Sequence, residues 1–465
     1  MAQIEQSFDY IIVGGGTAGC VLASRISKAL PTASLLVIER GVARDDRVTP
    51  ALGFAPGFGS DIETNLLSTP QPNFAGLAVS QTSGLILGGS SAVNYETWTR
   101  GASVDFDKWA EIAGDRRWSW EGMLPYFKTN ETFIPSATQK GFQRENKDFH
   151  GTEGPIKVSH PSDSGKPRDY PLRQDMARFH ESLGADLIPE NNAGSVIGYT
   201  EVAQSNYDGQ RQFAAKGYPF GPNVTVWTES EVHHIDIVKQ RASKITGIRY
   251  VGDGPDRMAS EFRASANVEI ILSAGVLFSP KLLMLSGIGP KEELDMHEIP
   301  IKIDLPIGKN LSDHPCVSSK WTVNKKDASI GIGPMVTERC DWTAGPPMDW
   351  IAFHRAKDST LEAVSTHLTA DEKKYYLSEG KAHWECFTMY GPFDTSERPI
   401  KVNPPEGVHL KLNSSDPADP PIVNPALLAS PTDNEILYDA VRSTTTAMKN
   451  FEGLDAVEYT VDEAL

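Results

Sequence analysis

Cysteine is scarce: there are four in 465 residues, Cys20, Cys316, Cys340 and Cys386, and no two form a Cys-x-x-Cys pair. That scatter excludes a zinc knuckle and a disulfide framework, and the expectation is reduced structural thiols and no metal site. Positive charge is also short. The 44 Lys and Arg stand against 61 Asp and Glu, a formal net charge of -17, and neutralising a phosphate backbone needs clustered cations. Nucleic acid is therefore excluded as a partner. No stretch approaches the ~18 apolar residues of a membrane span. The opening "MAQIEQSFDY" has neither the basic start nor the apolar core of a signal peptide. The expectation is a cytoplasmic protein with no membrane partner, in which the Asn-x-Ser/Thr triplets at Asn130, Asn223, Asn310 and Asn413 carry no weight. The G-x-S-x-G and H-E-x-x-H motifs are missing, which removes α/β-hydrolase and zincin chemistry.

What is present is a globular, loop-rich composition: 39% hydrophobic residues, 23% charged, 39 Gly and 32 Pro. The length allows roughly three ordinary domains or two large ones. The segment "FDYIIVGGGTAGCVLASRISKALPTASLLVIERG" carries the first chemistry. Phe8 to Val13 is a β-rich apolar run, and Gly14, Gly16 and Gly19 follow in G-x-G-x-x-G spacing with Thr17 and Ala18 between them. A helical pattern then places Ala18, Val21, Leu22, Ile26 and Ala29 on one face. A second run, Ser34 to Ile38, ends in Glu39 and Arg40. Strand, glycine turn, helix and strand make a βαβ unit, whose helix N-terminus offers free amides to a pyrophosphate. Glu39 stands about 20 residues on, where an acid accepts ribose hydroxyls. A merely structural glycine turn is the bland alternative, and the fingerprint alone does not separate FAD from NAD.

The separation comes from "GLILGGSSAVNYETWTRG", which resembles the first signature of the glucose-methanol-choline (GMC) family of flavin oxidoreductases. Gly88, Gly89, Ser90, Ser91 and Asn94 match, as do Trp98, Gly101 and Asp107, while Leu85 departs from the family's basic residue. "EIILSAGVLFSPKLLMLSGIGP" resembles the second signature, with Ala274 and Gly275 in its turn and Val276 departing from a small residue. By itself this block reads as a buried strand Glu269 to Leu272, a turn, and a helix capped by Ser279 with Pro280 in its first turn. In this reading Leu282, Leu283 and Leu285 face inward, and Gly287 ends the helix. "DFDKWAEIAGDRRWSWEGMLPYFKTNETF", "FHGTEGPIKVSH", "NVTVWTESEVHHI", "PIGKNLSDHP" and "HLKLNSSDPADPPIVNPALLASPTDNEIL" are similar to the family as well.

The resemblance implies FAD as cofactor, and an α/β fold (α+β mixed) with a Rossmann-like flavin domain and a second domain whose antiparallel sheet roofs the active site. The flavin domain is expected from residues 1-155 and 202-314, and the substrate domain from 156-201 and 315-465. The implied cofactor set is Gly14, Gly16, Thr17, Ala18, Gly19, Glu39, Arg40, Gly88, Gly89, Ser90, Ser91, Asn94, Ala274 and Gly275, with Val232 towards the adenine. The family's catalytic histidine, its His or Asn partner and a final glycine-rich segment follow the helix near Ile436 to Met448, and none maps onto this sequence. The catalytic residue is therefore left unassigned, and a second copy or a partner chain is expected over that region.

The eleven histidines offer no clear substitute. His233 and His234 adjoin on an expected strand and point to opposite faces. His150 and His160 flank a glycine-rich turn, where bonding to backbone is the bland expectation. His354, His367 and His383 fall in the substrate domain, and one of them is a candidate for the pocket. Trp118 and Trp120 read as a lid segment packed over the cofactor. The polar runs from "ERCDWTAGPPMDW" to "RAKDSTLEA" read as loops that set specificity. The function implied is hydride transfer from the CH-OH group of a small substrate, of the specialised-metabolite kind, to flavin. The alternatives are a non-redox member, for which hydroxynitrile lyase and versicolorin B synthase are precedents, and an inactive product.

Overall fold

The computed structural model describes residues 4–43, 61–134, 147–238, 241–251, 258–317, 320–323, 340–390, 409–451 and 457–460. Glu338 and Arg339 of the expected specificity loop lie outside them.

The main sheet is built on β1 (Ile4–Val13), which feeds α1 (Thr17–Ala29) and β2 (Leu35–Ile38). Far along the chain come β3 (Val224–Trp227), β4 (Ser230–Val238), β5 (Arg241–Val251), β6 (Met258–Leu272) and α2 (Gly275–Leu285). Their spatial order is β3-β2-β1-β6-β5-β4. β1 is parallel to both β2 and β6, and β2 to β3, while β4, β5 and β6 run as an antiparallel meander. The short β2, Leu-Leu-Val-Ile, is buried at all four positions, as a strand covered on both faces must be. One face packs Phe8, Ile11, Leu36, Trp227, Ile235 and Phe262 together; the other sets Ile12 and Val37 against Ala23 of α1.

The apolar face expected for α1 is not its buried face. The buried stripe is Gly19, Cys20, Ala23, Ser24 and Ser27, whereas Ala18 and Ala29 are exposed. Close approach is the reason: a Cβ at Gly19 would stand 2.0 Å from the Gly14 carbonyl oxygen. The polar members are satisfied in place, since Ser24 Oγ donates to the Pro219 carbonyl and Ser27 Oγ to Asn223 Oδ1. Val21 packs sideways against a neighbouring cluster, and Leu22 lies at the margin of the Ile12, Ala23 and Val37 cluster.

A second, antiparallel sheet joins Gly198–Glu201, Met348–His354 and Trp384–Met389. On one face it carries the helices Arg173–Ser182 and Pro431–Lys449, through Met176, Phe179, Trp350 and Met448. On the other, Val202, Met348 and Ile351 are buried against Tyr95, beside Phe353 and Met389. Tyr95 follows Asn94 directly, so this second face meets the glycine-rich segment that runs beside the first turn.

Beneath that segment lies a buried charge cluster. Glu131 accepts from Trp98 Nε1 (2.7 Å), Arg100 Nη2 (2.6 Å) and the Gly151 amide (3.0 Å). The His150 ring lies 2.9 Å from Glu131 and 2.7 Å from Glu190. His150 thus bonds two carboxylates rather than backbone as expected. Two buried carboxylates against one guanidinium leave a deficit of one positive charge, which an imidazolium donating through both nitrogens supplies. Burial works against its charge, but the two carboxylates prevail and raise the His150 pKa. His160 fits the simpler expectation, with Nδ1 donating to the Val202 carbonyl at 3.2 Å.

Candidate functional site

Two strand-to-helix turns converge on one cavity of about 890 Å³, at the upper end of the ~300–1,000 Å³ usual for ligand sites. The first turn links β1 to α1. Gly14 has φ +99°, and the Gly16 N-cap supplies no side chain to the helix amides, nor does α1 carry an acid in its first turn. The second links β6 to α2 through Ala274 and Gly275 (φ +84°), again with no side-chain cap and no acid. Both helices therefore present orphan amides and positive dipole ends to the cavity.

This second turn corrects the expected helix start. α2 begins at Gly275, not at Ser279, and Pro280 lies inside it. A glycine able to take positive φ lets the chain reverse four residues earlier than the serine-proline cue suggests. The strand before it is likewise longer than expected and only partly covered at Ile270 to Leu272, with Glu269 exposed. At the far end, Gly287 (φ +85°) closes the helix, its amide on the Met284 carbonyl; Met284, fully buried, supplies the inward face with Leu282.

Glu39, at the end of β2, is buried. Its Oε2 accepts from the Gly15 amide at 2.9 Å and its Oε1 from the Gly41 amide at 2.7 Å. Burial pushes its carboxyl up to about 7, against the pull of the two amides and of Arg40. Two of roughly four acceptor positions are thus filled, and two remain for hydroxyl donors. Arg40 stacks on Phe278 (4.1 Å) and faces Glu231 at 3.9 Å.

Of the residues singled out from sequence, Gly14, Gly16, Thr17, Ala18, Glu39, Arg40, Gly89, Ser90, Val232, Ala274 and Gly275 line this cavity. Gly19, Gly88, Ser91 and Asn94 do not. Gly19 lies against the Gly14 carbonyl, inside the first turn. The Gly88 carbonyl accepts from Thr17 Oγ1 and Ser91 Oγ, which in turn accepts from the Ala214 amide. Asn94 Oδ1 accepts from Arg211 Nη1 at 2.8 Å and from the Glu96 amide. These residues shape the neighbouring glycine segment and hold it against the first turn.

Sequence reasoning missed part of the wall: Ser80 to Ser83, Leu311 to Asp313 and Lys281. "PIGKNLSDHP" carried a cue for the second of these, whereas Ser80–Gly84 is a short polar strand with none. Lys281 is buried, with Nζ donating to the Pro417 carbonyl at 2.6 Å. The expected lid is also corrected. Neither Trp118 nor Trp120 lines the cavity: Trp118 is largely exposed, and Trp120 packs on Phe106 and Phe127 because Gly194 leaves it a slot. No histidine lines the cavity among the described residues. His354 stacks on Trp384 at 3.9 Å, and His383 bridges the Ala356 amide and the Tyr376 carbonyl. No group of three or more His, Cys, Asp or Glu among the described residues is placed to hold a metal.

The set fits FAD. A Cβ at Gly16 would find only two protein atoms, 3.8 and 3.9 Å away, so the bare backbone there leaves room for an incoming group rather than satisfying a crowded core. Uncapped helix ends suit a pyrophosphate, and the spare lone pairs of Glu39 suit ribose hydroxyls.

Comparison with known proteins agrees. Residues 8–316 match the family model described as GMC oxidoreductase. The GMC-type oxidoreductase acuG of Aspergillus aculeatus is 31% identical over 408 residues, covering 88% of this chain and 71% of the relative. Versicolorin B synthase of Aspergillus parasiticus is 29% identical, covering 94% and 72%. Among solved structures, Aspergillus oryzae formate oxidase, in a variant used to follow FAD modification, superposes with TM-score 0.82 at 27% identity, covering 97% and 82%. Pyridoxine 4-oxidase superposes with TM-score 0.74 at 25% identity, covering 95% and 80%. With this cavity, these two sheets and these matches, the chain belongs to the GMC oxidoreductase family, and its fold is that family's α/β FAD-binding fold.

Proposed function

We propose that the protein oxidises the CH-OH group of a small substrate by hydride transfer to FAD. The observation that carries this is the convergence of two uncapped helix ends and the Glu39 carboxylate on one cavity. When bound, flavin supplies the hydride acceptor. The amides of Gly16, Thr17, Ala18, Ala274 and Gly275 would hold the pyrophosphate by backbone alone. Glu39 would accept the ribose hydroxyls, and Val232 would flank the adenine. Gly89 and Ser90 would lie beside the flavin, with Ser91, Asn94 and Arg211 fixing their loop from behind. Residues 1-155 with 202-314 would form the flavin domain, and 156-201 with 315-465 the substrate domain. Similarity to proteins named patulin synthase (28% identical) and pyridoxine 4-oxidase (34% over 327 residues) supports an oxidisable small molecule as substrate.

A second reading keeps the flavin for a non-redox role. What favours it is the lack of a histidine on the cofactor cavity among the described residues, together with the similarity to versicolorin B synthase. The visible spectrum of the purified protein, followed anaerobically with candidate alcohols, separates the two. Bleaching of a flavin spectrum establishes the redox reading. A bound flavin that no alcohol in a broad panel bleaches favours the second.

A further inference from the structure

One wall of the cofactor cavity comes from far along the chain. Strands His409–Lys411 and Ile422–Asn424 pair as an antiparallel hairpin. They fall in the stretch read as substrate domain, yet the hairpin packs on the cofactor side. Leu410, Leu412 and Val423 are buried with Leu277 and Met284 of α2. Hydrogen bonds fix it there: the Leu412 amide donates to Glu293 Oε1 at 2.7 Å, the Thr69 amide to the Val423 carbonyl at 2.7 Å, and Gln71 Nε2 to Asn424 Oδ1 at 3.0 Å. Phe278 of α2 packs against the same cluster and carries Arg40 over its ring. The hairpin therefore stands at the end of the cavity where Glu39 would receive the adenosine ribose.

The turn between the two strands braces itself. Ser414 Oγ donates to Asp419 Oδ2 at 2.6 Å and accepts from the Asp416 amide at 2.9 Å, while Asp416 Oδ1 accepts from the Ala418 amide at 2.8 Å. Pro417 and Pro420 fix φ at two positions of the same turn. A turn with so little freedom left loses little entropy when it closes on a ligand. Ser415, Asp416 and Ala418 are exposed, and of residues 413–420 Pro417 alone lines the cavity. Lys281 ties this turn to α2: its side chain is buried on the cavity wall, and Nζ donates to the Pro417 carbonyl at 2.6 Å. Burial holds the Lys281 amine below the ordinary lysine range, against the pull of Glu231, Asp419 and Asp416.

We propose that residues 413–420 form a clasp over the adenosine half of FAD and that Lys281 is the positioning residue that holds it shut, so that the bond from Lys281 to Pro417 limits the release of FAD. A charged donor on a carbonyl makes a strong hydrogen bond where water is scarce. Opening the clasp means breaking that bond, and such a contact acts on the rate of leaving more than on the rate of arrival. The proposal needs FAD as cofactor but neither reading of what the flavin does.

The test is release of FAD from the loaded protein, followed as the rise in flavin fluorescence after dilution. Lys281→Met keeps the bulk of the buried chain and removes the donor, so FAD is expected to leave at least about tenfold faster. The FAD-free variant should keep its melting temperature, because water replaces the donor at the half-exposed Pro417. Ser414→Ala loosens the turn at a residue that does not line the cavity, and it should speed release by about threefold. ADP, which carries the adenosine and pyrophosphate of FAD without its flavin, should bind FAD-free Lys281→Met at least about tenfold more weakly than the parent protein. Release from Lys281→Met at the parent rate overturns the proposal. Faster release from Lys281→Met with Ser414→Ala unchanged also overturns it, since Lys281 would then touch the cofactor directly and the turn would be inert. An ADP affinity that Lys281→Met leaves intact overturns it as well. No arm uses an alcohol or reads bleaching, so failure here leaves the choice between the redox and non-redox readings untouched.

Discussion

The two turns that meet at the cofactor cavity use glycine for opposite reasons. In the first, between β1 and α1, the protein itself demands it: a Cβ at Gly14 would sit 2.4 Å from the Ser273 carbonyl oxygen, and one at Gly19 only 2.0 Å from that of Gly14. In the second, between β6 and α2, no protein atom lies within 4 Å of such a Cβ at Gly275, and only the backbone angle calls for glycine. Crowding marks a residue that the fold needs, whereas empty space marks one kept bare for a ligand or for a bend. Gly16 lies in the crowded turn yet behaves like the open one, which leaves it, of the three, the glycine with space above it for a ligand.

Four outcomes break or sharpen this contrast. The largest concerns Glu39, the acid that only the first turn possesses. Its pKa is raised from an ordinary 4.5 to about 7 by burial. The stability it contributes is therefore fully present below pH 4.5 and is lost as pH rises through 7, on the order of 3 kcal/mol by linkage. Denaturant titrations of the cofactor-free protein from pH 4.5 to 8 should show this decline, and Glu39→Gln should flatten it. Next, Gly19→Ala should destabilise by about 1–3 kcal/mol through overpacking, with a melting temperature that falls whether or not FAD is present. Gly275→Ala should cost about 1–2 kcal/mol from the left-handed angle alone. The smallest effect on stability belongs to Gly16→Ala, within about 0.5 kcal/mol without FAD. The same variant should weaken FAD at least about tenfold by equilibrium titration. If Gly16→Ala were as destabilising as Gly19→Ala, the division between fold and ligand glycines would be lost.

Local order explains what the sequence made legible. The βαβ unit was readable because strand, glycine spacing and acid lie within one short stretch, and each has a period or a breaker that marks it. The buried face of α1 was not. Hydrophobicity points to Val21, Leu22 and Ile26, whereas close packing selects Gly19, Cys20, Ala23, Ser24 and Ser27 for smallness. The start of α2 was misread because a positive-φ glycine leaves no polar cue, while Ser279-Pro280 offers one that the fold does not use. The partners of His150 were invisible for another reason: Glu131 and Glu190 come from either side of it in the chain, and no local pattern connects them.

Ile4 pairs with Phe262, and Val13 with Leu272. At ~5–20 residues per second, the first strand of the main sheet leaves the ribosome roughly 10–50 s before the strand that flanks it on that side. For that interval the apolar run of Ile11, Ile12 and Val13 has an open edge, which favours attention from chaperones and pairing with other nascent chains. The yield of soluble protein should therefore depend on the pace of translation through residue 272 as well as on the stability of the finished fold.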